Sequence, residues 1–287
     1  MLTILFDGIA YGMLLFVLAV GLAVTMGLMN FINLAHGAFA MAGGYITVLL
    51  MQRLDVPFLL CLPLAFLGAA LLGAVLERTL YRPLYNKPHL EQVLFSIGLV
   101  FIATATVDYY VGSTQQIMQL PQWLRGRTEI GSLGMGHYRL FIILVCAALT
   151  VGLQYILSRT RFGSRLRASV DDQRVAAGLG INVNMVFLST FAFGSGLAGL
   201  GGALGAEVLG LDPTFPLKFM IYFLIVVAVG GTSSITGPLL AALLLGIADV
   251  AGKYYIPRLG AFIVYGLMIV ILLWKPNGLF VRQGGKA

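Results

Sequence analysis

With 287 residues, 59% of them hydrophobic and only 10% charged, the chain carries more apolar side-chain surface than a soluble core can absorb, since soluble domains are about a quarter charged. Its 18 Lys and Arg against 11 Asp and Glu leave a net charge of +7. In so apolar a chain the loops of a membrane protein account for the basic excess without any nucleic-acid partner. Long continuous apolar runs also exclude a transmembrane β-barrel, whose strands alternate polarity over about 10 residues.

In chain order, nine apolar stretches stand out, at about 8–28, 36–51, 58–76, 92–111, 139–157, 185–209, 217–231, 236–251 and 259–274. A helix needs roughly 20 apolar residues to cross about 30 Å of hydrocarbon. The expected fold is therefore all-α: a polytopic helical bundle of eight or nine transmembrane or partly re-entrant helices. The second, seventh and eighth stretches are the short ones. The first has no basic region before it and no small-residue cleavage site, so it reads as a retained span and not a signal peptide. One transmembrane domain covers 1–287, with a cytoplasmic loop at 158–184.

Basic residues collect in three places: Arg78, Arg82 and Lys87; Arg159, Arg161, Arg165, Arg167 and Arg174; and Lys275, Arg282 and Lys286. Even numbers of spans separate them, so all three can face the cytoplasm together, with 112–138 outside. Nine crossings then put the N-terminus outside, and eight put it inside.

Two sites share one local grammar, an apolar span, a polar Gly-containing break and a brief apolar segment. The first break is Asn30 to Gly37 and the second Gly230 to Pro238. Transporters place substrate paths where discontinuous helices of repeated halves meet, and the pair is compatible with an internal inverted repeat. Asn30, Asn33 and His36 recur every third residue. Polar groups at such depth turn toward a cavity or cap helix ends, and both readings stand for this trio and Gly37. Thr232, Ser233, Ser234 and Thr236 likewise offer either hydroxyls to a zwitterionic ligand or a cap for the helix that Pro238 opens.

The sixth stretch is rich in small residues, with GxxxG at Gly201 and Gly205, which reads as a closely packed central helix. Glu207 and Asp249 lie near span ends and read as solvated or interfacial. Cys61 and Cys146 sit inside apolar segments without metal-ligand spacing and read as packing residues. In the basic loop, Asp171 or Asp172 can cap a short helix through Arg174, Ala176 and Ala177, which Gly178 or Gly180 would stop. Its Ala-rich face is small enough to nest in a partner, although a plain connector is the alternative. No GxxxxGK[ST] loop, Ser/His/Asp constellation or metal cluster occurs in the sequence, so no enzyme activity is expected of this chain.

Four stretches together resemble the LivH-type permeases of branched-chain amino acid ABC importers, within a wider group that includes urea, amide and ribose permeases. They are Met29–Gly37 (MNFINLAHG), Glu77–Gly98 (ERTLYRPLYNKPHLEQVLFSIG), Thr160–Asn182 (TRFGSRLRASVDDQRVAAGLGIN) and Lys275–Phe280 (KPNGLF). The resemblance implies an importer in the bacterial inner membrane with five components: this chain, a second LivM-like permease, two cytoplasmic ATPases and a periplasmic solute-binding protein. It implies no cofactor here, ATP and Mg being held by the partners. Asn30, Asn33, His36 and Gly37 would line or shape the path, Glu77, Arg78, Arg82 and Pro83 would order the cytoplasmic side, and Asp171 to Gly180 would couple to an ATPase. That segment departs from the general importer pattern, lacking a Glu before Ala176 and any downstream Leu-Pro. An ion-coupled transporter or a channel for a small polar solute is the competing class.

Overall fold

A computed structural model describes residues 1–29, 31–85, 87–130, 133–231, 234–275 and 278–279. Asn30, Thr232 and Ser233 of the expected path, and Arg282 and Lys286 of the third basic cluster, lie outside the described residues. The helices are α1 (Leu2–Met29), α2 (His36–Leu54), α3 (Phe58–Leu76), α4 (His89–Val111), α5 (His137–Arg159), α6 (Arg161–Asp171), α7 (Gln173–Gly178), α8 (Val183–Leu209), α9 (Phe215–Gly230), α10 (Thr236–Tyr255) and α11 (Gly260–Trp274). Each of the nine apolar stretches has become one helix. An antiparallel hairpin, β1 (Arg127–Ile130) with β2 (Leu133–Gly136), and the helix α6 are the additions, while α7 is the short helix expected in the basic loop.

Among the described residues, six helices are long and apolar enough to cross a membrane, and two apolar ones are shorter, at Phe215–Gly230 and Phe262–Trp274. The structure thus supports a multi-pass all-α membrane protein with six clear crossings, against the eight or nine expected. The shortfall has a physical cause. The 16 residues of α9 extend only about 24 Å at 1.5 Å per residue, the apolar part of α11 is shorter still, at Phe262–Trp274, and α2, though 19 residues long, carries His36 at one end and Gln52 and Arg53 at the other.

Burial separates two classes of helix. Along α1 and α8 nearly every residue past the first turns is covered by protein, whereas α3, α4, α5 and α11 expose rows of Leu, Ile, Phe and Val. Such a belt has no place on a soluble surface and suits lipid. Tyr109 and Tyr110 at the end of α4, and Tyr254 and Tyr255 at the end of α10, form exposed aromatic pairs at the level where interfacial rings settle. The central helix α8 is the one its small residues predict. An added Cβ at Gly201 would sit 2.9 Å from a Leu18 methyl carbon of α1, and the Gly202 backbone lies directly against Ala40 of α2. No larger residue fits these crossings.

Directions follow from side-chain contacts. Phe58 opens α3 beside Tyr138, which opens α5 (6.2 Å between centroids), and the Tyr138 hydroxyl donates to the Leu204 carbonyl near the end of α8 (2.7 Å). At the opposite end Tyr85, after α3, meets Phe187 early in α8 (5.8 Å). Two basic clusters, 78–87 and 159–174, therefore leave the bundle together, and the hairpin lies at the other end. The breaks correct one expectation. Gly8 and Gly12 of α1 pack on Ile247 and Leu243 of α10, so these helices are antiparallel, and α9 runs back along α10. Both α1 and α9 thus approach their breaks in the same direction, so an inversion does not relate the two breaks to one another.

Candidate functional site

After α1 the chain unwinds over Phe31–Ala35, and a buried backbone there must find partners away from the helix. Two come from α4: the Ile32 amide donates to Gln92 Oε1 (3.2 Å) and the Leu34 amide to Ser96 Oγ (3.2 Å). Asn33 supplies a third acceptor. Its Oδ1 takes the Ala35 amide (3.1 Å) and the Tyr81 hydroxyl (3.0 Å). His36, the first residue of α2, places Nε2 at 2.9 Å from the Leu18 carbonyl, which can only accept, so that nitrogen carries the proton. Its ring stands edge-on to Phe223 of α9. Asn33 and His36 are each 2% exposed. They act as struts that hold the break open between α1, α4 and α9, and Gly37 lets α2 approach Pro216 within contact distance.

Tyr81 reaches Asn33 because α3 does not end as an α-helix. A π-helical turn at Glu77–Tyr81, followed by a tight turn at Arg82–Leu84, swings the ring inward, where it is fully buried. Such turns place side chains that regular helix would point elsewhere. Beyond it, Tyr85 donates to Glu77 Oε1 (2.9 Å), and burial, then the Glu77 charge, pushes its hydroxyl well above the ordinary tyrosine range. Gln92, Ser96 and Tyr81 are absent from the expected path residues. Their signal was present as two polar residues at i and i+4 on the apolar stretch 92–111.

At the second break Gly231 takes a φ of +78°, and Ser234 Oγ accepts from the Thr236 hydroxyl (3.2 Å) and the Gly237 amide (3.3 Å), capping α10. Ser234 and Thr236 are exposed, and with Val24 of α1, Gln154 of α5 and Arg167 of α6 they line a cleft of about 270 Å³. None of its lining residues belongs to the first break. The structure therefore places the second break beside the basic loop and the first against α4.

The basic loop is an arm of two helices. Thr160 opens α6 by accepting the Gly163 amide, and Arg167 donates back to the Leu157 carbonyl, locking the arm to α5. Gly163 lies so close to Leu157 that an added Cβ would sit 2.6 Å from its carbonyl carbon. The signal for this helix is the apolar spacing of Phe162, Leu166 and Val170 within the basic patch. Asp172 then caps α7, accepting the Arg174 (2.8 Å) and Val175 (3.0 Å) amides, and Gly180, at φ +82°, turns the chain away. Asp171 ends α6. One expectation is corrected: Ala176 is 1% exposed and packs inward, so it does not share an outer face with Ala177 and Gly178. The exposed apolar residues are Val175 and, one turn on, Leu179 at 75%.

Of the acidic residues near span ends, Glu207 is exposed as expected, but Asp249 is not. Its side chain is 2% exposed, and Oδ2 meets Lys253 Nζ at 2.6 Å. In the loop before α9, desolvation would raise the Asp212 carboxyl, yet hydrogen bonds from Lys218 and Thr214 hold it below the ordinary carboxylate range. Cys61 and Cys146 are buried and unpaired, and no group of metal-ligating side chains occurs among the described residues.

Residues 4–272 match the family described as the branched-chain amino acid transport system permease component. The chain is 28% identical to the high-affinity branched-chain amino acid transport system permease protein LivH of Salmonella typhimurium, over 97% of this chain and 94% of that one. It is 29% identical to BraD of Pseudomonas aeruginosa, over 97% and 95%. LivM of Escherichia coli is 26% identical, over 93% of this chain and 68% of its own length. No solved structure matches the chain.

Proposed function

Because the chain belongs to the branched-chain amino acid transport permease family, we propose that it is the membrane-spanning subunit of an ATP-driven importer, forming part of the path for branched-chain or related amino acids. The observation that carries this reading is the arm α6–α7. A rigid corner, a capped six-residue helix and an exposed apolar pair at its tip make a lever suited to docking on another protein, which a solvated connector does not require. ATP and Mg would be held by two cytoplasmic ATPases, the solute would arrive on a periplasmic binding protein, and a LivM-like permease would complete the path in the bacterial inner membrane. All nine apolar helices would cross or nearly cross, with the arm inside and the N-terminus outside. Asn33, His36, Gly37, Ser234 and Thr236, with Asn30, Thr232 and Ser233, would shape the moving part of the path. Asp171, Asp172, Arg174, Ala176, Ala177, Gly178 and Gly180 would build and hold the coupling arm.

The test is uptake into proteoliposomes with and without the ATPase subunits. Leucine uptake should require both the ATPases and ATP, and uptake that persists without them would place the chain among channels or ion-coupled carriers. Orientation is tested separately. With Cys61 and Cys146 replaced by Ala, a cysteine at Gln173 should react with an impermeant maleimide only from the cytoplasmic side, and one at Glu129 only from outside. Labelling of Gln173 in intact spheroplasts would reverse the topology.

A further inference from the structure

At the end of the bundle opposite the arm, a cavity of about 470 Å³ opens among α1, α5, α8, α9 and α10. Its volume lies in the range of small-molecule sites. Two features of its lining are unusual together. Carboxylates and cations both face it, Asp7 and Asp249 with Arg139, Lys218 and Lys253, while Leu14, Ile142 and Phe219 give it an apolar wall. The carboxylates are also only half used. Asp7 is paired with Arg139, and Asp249 with Lys253, each through Oδ2. Asp7 Oδ1 and Asp249 Oδ1 are buried with no hydrogen-bond partner. An orphaned buried carboxylate oxygen is costly and calls for a donor. The Asp249 side chain is 2% exposed, with Tyr11 beside it and the Tyr222 hydroxyl near enough to compete as a donor to the carboxylate.

Resting on the permease reading above, we propose that this cavity is a binding site for a free zwitterionic α-amino acid with an aliphatic side chain, contained within this single chain. The orphaned oxygens of Asp7 and Asp249 accept from the ligand's ammonium group. The cations at the rim donate to its carboxylate, and the aliphatic chain lies on the wall of Leu14, Ile142 and Phe219. A cation alone would leave the remaining donors of Arg139, Lys218 and Lys253 unused beyond their pairs with Asp7, Asp212 and Asp249, and an anion alone would leave the two Oδ1 acceptors unmet. Only a ligand carrying both signs uses the whole lining.

The full wild-type chain in lipid nanodiscs, without any binding protein, should bind radiolabelled L-leucine at concentrations up to about 10 mM. Displacement by 4-methylpentanoate, which lacks the ammonium, and by 3-methylbutylamine, which lacks the carboxylate, should each be weaker than displacement by leucine by about tenfold or more. Phosphoethanolamine has both charges but no aliphatic chain, and should not compete. Asp249→Asn should weaken binding to a similar degree. Val250→Trp, which fills the cavity without touching a charge, should do the same and covers the case in which Asp249→Asn fails to fold. Absence of leucine binding, equal displacement by all three analogues, or preference for phosphoethanolamine as a lipid head group would each overturn the site. If wild-type complexes still transport leucine under ATP in that event, the permease reading survives. If the chain binds leucine but no ATP-dependent uptake exists, the binding site stands and the permease reading fails.

Discussion

Replacing Leu179 with Glu is expected to abolish coupled transport, lowering ATP-dependent uptake by tenfold or more while the chain inserts and accumulates normally. Leu179 is 75% exposed, so in the isolated chain the change is a surface substitution worth about half a kcal/mol at most. In the proposed complex the same side chain is buried in an ATPase groove. Losing a buried Leu costs about 1.5–3 kcal/mol before any penalty for burying the new charge, which weakens the joint by roughly ten- to a hundredfold. Val175→Glu, one turn earlier on the same face, should behave alike. Ala177→Trp should cost about 1–3 kcal/mol by overpacking. Ala176→Trp makes the informative contrast. Because Ala176 is covered by its own bundle, a large ring there should reduce the amount of folded chain instead of releasing the ATPase. Co-purification of the ATPases and stimulated ATP hydrolysis measure the first outcome, and yield of monodisperse protein measures the second. Full coupling in both the Leu179 and Val175 variants would send the search for the joint to the other basic segment, Arg78 to Lys87.

That contrast also shows what could be read from the chain alone. The nine helices were legible because hydropathy depends on composition along a segment, and lipid enforces it without help from tertiary contacts. The Asp172 cap was legible for a similar reason, since a cap is a local bargain between one side chain and amides two and three residues on. The inward turn of Ala176 was not. Which side of a short helix faces its own protein depends on the path of α6, fixed by Gly163 beneath Leu157 and by Arg167 reaching back, contacts that no periodicity reports. Asp249 failed in the same way. Its place near a span end suggested solvent, whereas its burial depends on α1 and α9 closing over it. Gln92, Ser96 and Tyr81 form the most instructive case. Ser96 is a lone polar residue in an apolar stretch, Gln92 opens that stretch and Tyr81 lies in a basic connector, and their common purpose appears only when these segments meet around the unwound residues 31–35.

Those three residues make the first break a testable structure. Asn33→Leu should leave two buried donors, the Tyr81 hydroxyl and the Ala35 amide, without their acceptor. Each orphaned donor costs about 1–3 kcal/mol, so the break should close or distort. Uptake should fall by at least tenfold, with a smaller fall in folded protein, since α1 and α2 remain clamped by their glycine crossings with α8. Tyr81→Phe removes one donor and leaves Asn33 with the Ala35 amide, and should cost about 1 kcal/mol. The double variant separates structure from ligand contact. If Asn33 serves as a strut, deleting the Tyr81 hydroxyl relieves one of the two unmet donors, so Asn33→Leu with Tyr81→Phe should be less damaging than the sum of its parts by about 1 kcal/mol or more. If Asn33 instead grips the solute, Tyr81→Phe offers no relief and the two losses add. Uptake and thermal stability of the detergent-solubilised complex, measured for all four members of the cycle, decide between these. Strict additivity would move Asn33 from the frame of the path to its lining.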